Sequence, residues 1–159
     1  MERIVPFLML ALLAGASCAW NPSQLPLPFK LVPDPSPWAL ASDQPAYFVV
    51  TEKTWQAHYP APPAGADFQA NFYVVASWGM QPNPGYMIYI REMDSVGRWV
   101  LVRLSLEEPP PFLVYPQVIV HPLAVAEVRK DALRQHGLLI FTFSDQEGKQ
   151  LVELETDVS

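Results

Sequence analysis

Cysteine is almost missing from this sequence: Cys18 is the single cysteine among 159 residues. A domain formed by the residues after it has no disulfide bond, because a disulfide needs two thiols. The same shortage excludes a zinc site built on thiolates and a cysteine nucleophile in that part of the chain. The fold and any chemistry it supports must therefore rely on other side chains.

Clusters of positive charge are also missing. Lys and Arg together number 10 against 16 Asp and Glu, which gives a formal net charge of −6, and the basic residues form no run. Proteins that bind nucleic acids need a concentration of cations against the phosphate backbone. We therefore expect no nucleic-acid partner, and we interpret the acidic surplus as a solvated exterior.

Motifs for catalysis, metals and cofactors are lacking as well. His58, His121 and His136 show no ligand spacing, and the sequence has no Gly-x-Ser-x-Gly elbow. The glycines of residues 79–85 lack the lysine and the following helix of a phosphate-binding loop. We expect a protein that is not an enzyme and has no cofactor. A hydrolase would require Asp67, His58 and His121 to meet in one pocket.

An apolar run at residues 4–14 follows Arg3. It is too short to cross a bilayer and is typical of an export signal. We predict that residues 1–17 are a signal peptide.

Three small residues at positions 15–17 precede Cys18. This arrangement resembles the lipobox of bacterial lipoproteins, in which the cysteine becomes the acylated first residue of the mature chain. The resemblance implies an exported protein that a lipid on Cys18 anchors at a membrane of the cell envelope. The alternative is ordinary signal cleavage after Ala16 or Ala19, which would give a periplasmic or secreted protein.

The rest of the chain has the composition of a folded, turn-rich domain. Half of the residues are hydrophobic, 12% are aromatic and 18 are proline. Prolines favour turns and ordered loops over long helices. We predict one mainly β domain at residues 46–159, α+β at most, with an antiparallel, sandwich-like arrangement. Residues 18–45 are predicted as a proline-rich spacer, part of which lies against the body through its apolar residues Leu25, Leu27, Phe29 and Trp38.

Strand and helix patterns fill the predicted domain. One short helix near residues 52–58 has Thr51 as its N-cap, and its Trp55 is expected in the core. Residues 72–78 are uncharged and rich in β-branched and aromatic side chains, with Phe72, Val74, Ala76 and Trp78 on one face and Tyr73, Val75 and Ser77 on the other. The further predicted strands are 46–50, 86–90, 98–106, 112–120, 123–128, 138–143 and 150–154.

Residues 79–85 concentrate two glycines, two prolines and an asparagine between two of these strands. Strands and helices exclude such a composition, so we predict an ordered loop that joins neighbouring strands. Strands 72–78, 86–90 and 98–106 are then expected to form a three-stranded antiparallel meander. Ordered loops on rigid strands often carry recognition.

Asp67-Phe68, an apolar strand and then Gly79-x-x-Pro82-x-x-Gly85-Tyr86 resemble the PrcB C-terminal domain family over roughly residues 46–130. The family comprises accessory lipoprotein subunits of a bacterial surface protease complex. The resemblance implies a noncatalytic protein-binding module whose partner is an envelope protease or its complex. The predicted binding residues are Gly79, Pro82, Asn83, Gly85 and Tyr86.

Two other functions are open at this point. The residues Asn83-Pro84-Gly85-Tyr86 resemble part of the loop of chagasin-type protease inhibitors, which also have a β-sandwich fold. The protein could instead be a structural envelope lipoprotein without a specific partner. The family also carries two adjacent glycines before the tyrosine, whereas Pro84 stands at the first of these positions here and removes a backbone donor.

Overall fold

The computed structural model describes residues 24–39, 42–57 and 61–159. The predicted signal peptide, the lipidation site Cys18 and His58 lie outside the described residues. Within those three ranges, no helix is long and apolar enough to cross a membrane.

Two β-sheets pack face to face. The first has the strand order β1-β5-β6-β8-β9, and the second has the order β2-β7-β4-β3. Neighbouring strands are antiparallel, except that β6 and β8 are parallel. This confirms the predicted mainly β fold. The strands are β1 (Leu25–Pro26), β2 (Phe29–Leu31), β3 (Ala46–Val50), β4 (Asn71–Ser77), β5 (Met87–Val96), β6 (Trp99–Glu107), β7 (Leu123–Arg129), β8 (Gly137–Ser144) and β9 (Gln150–Val158).

One short helix, α1 (Glu52–Gln56), follows β3 and confirms the predicted helix. A capping box starts it: the Thr51 side chain accepts from the Thr54 backbone N–H, and the Thr54 hydroxyl accepts from the Thr51 N–H at 2.7 Å. These bonds satisfy donors that the first helical turn leaves unpaired. Trp55 is buried, as expected, and its indole N–H donates to the carbonyl of Ala61 at 2.7 Å.

The main core lies between the sheets. Phe72, Val74 and Ala76 project into it from β4, and Phe141 and Phe143 meet them from β8. The Phe72 and Phe141 rings pack edge to face with centroids 5.8 Å apart, an arrangement that aromatic pairs favour. The predicted alternation of side chains along this strand is therefore confirmed.

A second apolar cluster covers the other face of β4. Tyr73 and Val75 lie in it, and it is closed by Trp38, Trp55 and Phe68. The Trp38 ring stands 5.4 Å from Trp55 and 4.2 Å from Tyr73. Every residue of β4 is consequently buried.

The proline-rich segment contributes to both sheets. β1 pairs with β5, and three residues later β2 pairs with β7. Leu27 and Trp38 are 2% and 4% exposed. The expectation that apolar residues of this segment lie against the body is confirmed.

The predicted meander is wrong. β5 and β6 form a hairpin around Gly97, which has φ +60°, but β4 belongs to the opposite sheet. Residues 79–86 therefore cross from one sheet to the other and do not join neighbouring strands. The reason is that β3 and β7 already occupy both edges of β4.

The predicted strand at residues 112–120 is also wrong. Within the described residues its sheet-type pairing is one isolated bridge between Val120 and Gln81. Pro116 lacks a backbone donor, and residues 109–111 are all proline, so regular pairing is interrupted here. The predicted C-terminal hairpin is confirmed as β8 and β9.

Trp38→Ala should lower the free energy of unfolding by about 3–5 kcal/mol, because it empties the centre of the second apolar cluster. Urea unfolding of the purified chain measures this change. Phe112→Ala is the control: its ring is 82% exposed, so a change within about 0.5 kcal/mol is expected. Equal stability of Trp38→Ala and the wild type would mean that residue 38 is not part of the fold.

Candidate interaction loop

Residues 79–86, here called the interaction loop, connect β4 to β5 at one end of the sandwich. Its first half is bound to two other segments. The Met80 N–H donates to the Asp43 carbonyl at 3.0 Å, and Gln81 and Val120 exchange backbone bonds of 2.8 and 3.0 Å. The Gln81 side-chain amide also donates to the Trp78 carbonyl at 3.1 Å. The loop is thus ordered by hydrogen bonds at its start.

The second half of the loop is fixed by its own residues. The Asn83 side-chain oxygen accepts from the Gly85 N–H at 2.9 Å, which forms a local turn typical of asparagine. The Tyr86 ring packs edge to face on Trp78 with centroids 5.4 Å apart. Pro82 and Pro84 further restrict the backbone. A partner would therefore meet a loop that already has its shape.

Both glycines of the loop are required by space. Gly79 has φ +76°, and a Cβ there would lie 2.6 Å from the Gln44 carbonyl carbon. A Cβ on Gly85 would lie 2.6 Å from the Cβ of Pro109 and 2.9 Å from the Tyr115 ring. These glycines let the loop pack against two other parts of the chain.

The five predicted binding residues all lie in this loop, but their roles differ. Gly79 and Gly85 are buried and shape the backbone. Pro82 is exposed, whereas Asn83 and Tyr86 are half-buried. Of the five, these three side chains are therefore the ones that a partner could touch. Their role in binding stays a prediction.

Sequence reasoning missed a neighbouring surface. Residues 112–119 lie beside the loop and carry large exposed hydrophobic side chains, and Met80 within the loop and Met87 directly after it are exposed as well. The signal in the sequence was the proline content of an uncharged run, which disfavours a central strand. Its β-branched and aromatic composition instead favoured the strand prediction.

The structure separates two of the three residues that a hydrolase would need. Asp67 accepts from the N–H groups of Gln69 and Ala70 at 3.0 and 3.2 Å and so stabilises a turn before β4. His121 lies in space at the other end of β4, because the next residue, Pro122, accepts from the Trp78 N–H at 3.0 Å. Its Nε2 atom is 3.4 Å from the Asp43 carboxylate. The two ends of β4, Asn71 and Ser77, are six residue steps or about 20 Å apart. Within the described ranges, no group of three potential metal ligands occurs.

Beside Asp67, the Tyr73 hydroxyl joins two chain segments. It accepts from the Asp67 N–H at 3.0 Å and donates to the Glu127 carboxylate at 3.2 Å. Burial of Tyr73 raises the pKa of its hydroxyl, the Asp67 N–H opposes this shift, and the negative charge of Glu127 adds to it.

Two packed, mostly antiparallel sheets that carry an ordered crossover loop define a β-sandwich-type domain. Residues 72–129 of this domain match the family model described as PrcB C-terminal. The resemblance found in the sequence is thereby confirmed, and the match contains the whole interaction loop. No curated protein and no solved structure matches the chain.

Gly79→Ala should destabilise the fold by about 3 kcal/mol or more, because it adds a backbone overlap to the cost of a positive φ. Gly148→Ala is the matched control. Gly148 has φ +82° with open space around its Cβ position, so about 1 kcal/mol is expected there. Thermal and urea unfolding of both variants measure the difference, and equal losses would contradict the tight contact at Gly79.

Alkaline pH should weaken the fold partly through Tyr73. Because the folded-state pKa is raised, the unfolded chain loses this proton first, and stability present below about pH 10 is lost as the pH rises further. Tyr73→Phe should lose about 1–2 kcal/mol at neutral pH with its hydrogen bonds. Its stability should then fall less steeply between about pH 9 and pH 11. Urea unfolding across this range is the measurement, and a slope identical to wild type would contradict the assignment.

Proposed function

We propose that this protein is an exported, lipid-anchored and noncatalytic protein-binding module that acts as an accessory subunit of a cell-envelope protease complex. The observation that supports it is the ordered interaction loop, which presents Pro82, Asn83 and Tyr86 within the segment that matches the PrcB C-terminal family. The lipid anchor is proposed because of Cys18 and the apolar run before it.

The physical basis for binding is the low cost of ordering this loop. A flexible loop loses conformational entropy when it binds, whereas a loop already held by hydrogen bonds loses less. Tyrosine also contributes a large contact area with few torsions and is frequent among residues that dominate binding energy. Tyr86 combines both features because Trp78 already orients its ring.

The proposed role is noncatalytic because of the side chains that the loop presents. They are amide, proline, methionine and tyrosine groups, which form hydrogen bonds and apolar contacts. The loop contains no histidine, carboxylate, serine or lysine that could act with Tyr86 as a nucleophile and base. These groups suit recognition of a protein surface.

The position of the loop also fits a partner away from the anchoring membrane. Leu25 pairs with Ser95, so the chain enters the body near the end of β5, whereas the loop precedes Met87 at the beginning of that strand. Eight residues of strand span about 26 Å. Cys18 is six residues before Gln24, which limits their separation to about 20 Å. An anchor on Cys18 would therefore place the loop at the far end of the domain.

Purified full chain should capture a stoichiometric component of a protease complex from a membrane extract of its own cells. The double substitution Asn83→Ala and Tyr86→Ala should raise the Kd for that purified component about 30-fold. Trp99→Ala is the control, because Trp99 is 40% exposed on β6 near the opposite end. Biosensor titration gives the affinities, and thermal melting verifies that each variant folds.

Two results would contradict this function. Absence of any stoichiometric partner would favour a structural lipoprotein. Tight inhibition of purified cysteine or serine proteases, lost in the double variant, would assign the loop to a chagasin-like inhibitor instead.

A further inference from the structure

We infer that residues 112–119, here called the apolar segment, are a docking segment that a protein partner takes up in extended form along an exposed sheet edge with an apolar groove. This inference rests on the proposed function, since it assigns a second contact surface to the same binding module. It concerns side chains that the interaction loop does not include.

The apolar segment is exposed to water. The apolar segment contains five large hydrophobic side chains of which at least half is in water: Phe112 (82%), Leu113 (51%), Val114 (98%), Val118 (56%) and Ile119 (62%). Single exposed hydrophobic residues are ordinary, but a contiguous group of this kind marks an interaction site. These side chains contribute little burial to their own domain.

The backbone of the apolar segment forms no strand within the described chain. The segment has a strand-forming composition but no strand, and its backbone bonds among the described residues are two tight turns, Leu113 N–H to Pro110 at 3.1 Å and Val118 N–H to Pro116 at 2.9 Å. Extended peptides bind sheet edges through main-chain hydrogen bonds and side-chain pockets. Since Pro116 has no N–H, we expect two short paired stretches on either side of it.

The apolar segment is fixed to the body of the domain. The Tyr115 ring packs over Gly85, and directly after the segment Val120 is bonded in both directions to Gln81. The apolar segment and the interaction loop thus form one continuous surface. A braced segment loses less entropy on binding than a free one.

The charge around the apolar segment favours a protein partner over a membrane. After the buried strand β4, residues 78–90 contain no Asp, Glu, Lys or Arg, and neither do residues 109–126. Depletion of charge with enrichment of aromatic residues and methionine is typical of the centre of protein interfaces. An anionic membrane surface would instead attract lysine and arginine clusters. The chain also enters the body at the opposite end of β5, so an anchoring membrane lies away from this surface.

A matched pair of leucines allows a sharp test. Leu113 is 51% exposed in the segment, and Leu138 is 53% exposed on β8, near the end of the sandwich that carries the Gly97 turn. A photo-crosslinking amino acid is placed at each position of the full chain in its own cells, and the crosslinked protein is identified and purified. Its Kd is then measured against wild type, Leu113→Ser and Leu138→Ser.

We expect a specific protein crosslink at residue 113 and none to that protein at residue 138. Leu113→Ser should raise the Kd about tenfold, while Leu138→Ser leaves it unchanged. Because the contact is apolar, the affinity should change little between low and high salt. Equal melting temperatures of the two variants and the wild type show that folding is intact.

Three results would overturn the inference. The first is a Kd that Leu113→Ser does not change, or that both variants change equally. The second is flotation of the Cys18→Ser chain with phosphatidylcholine and phosphatidylglycerol vesicles that Leu113→Ser abolishes, which would assign the segment to a membrane. The third is concentration-dependent self-association lost in Leu113→Ser, which would assign it to a second copy.

The same measurements separate this inference from the proposed function. A protease-complex partner that binds Leu113→Ser like wild type would refute the docking segment and keep the function. A crosslinked partner outside any protease complex that requires Leu113 would refute the function and keep the docking segment.

Discussion

The whole structure depends on β4, a strand that is occupied on both faces and both edges. One face packs into the core between the sheets, and the other lies under Trp38, Trp55 and Phe68. β3 and β7 take its two edges. The next strand therefore has no edge of β4 to pair with, and the chain must cross to the other sheet. This constraint determines where the interaction loop lies.

Two crossings at the same end stabilise each other. The interaction loop runs from the four-stranded sheet to the five-stranded sheet, and residues 108–122 return in the opposite direction. They meet through the bridge between Gln81 and Val120 and through the contact of Gly85 with Tyr115. Neither connection is held by regular strand pairing, so these mutual contacts contribute to the order of both. The described surface at this end is consequently a joint product of both connections.

The sequence predicted the local features of this fold but not their partners. The alternation along residues 72–78 was correct, because which face a side chain takes follows from the strand itself. The capping box at Thr51 was equally local. A hairpin loop and a loop that crosses between sheets have the same turn-rich composition. The sequence therefore did not show to which of the two sheets β5 belongs. For residues 112–120, the strand propensity indicated only that the segment suits pairing. In the structure these residues belong to the connection between the two sheets, and within the described chain they pair through the single bridge of Val120 with Gln81.

The placement of charge and apolar surface gives the domain two different ends. Arg103 pairs with Glu92, and Arg98 pairs with Glu155, so the five-stranded sheet carries ion pairs that are exposed to water. The four-stranded sheet hides its outer face under the tryptophan cluster. Of ten large hydrophobic side chains exposed in the described residues, seven lie at the end with the two crossings. Packing within the domain does not explain why hydrophobic side chains lie at this end, because these side chains remain in water. The proposed contact with a partner would bury them, and the two connections that brace each other would give that contact a fixed base.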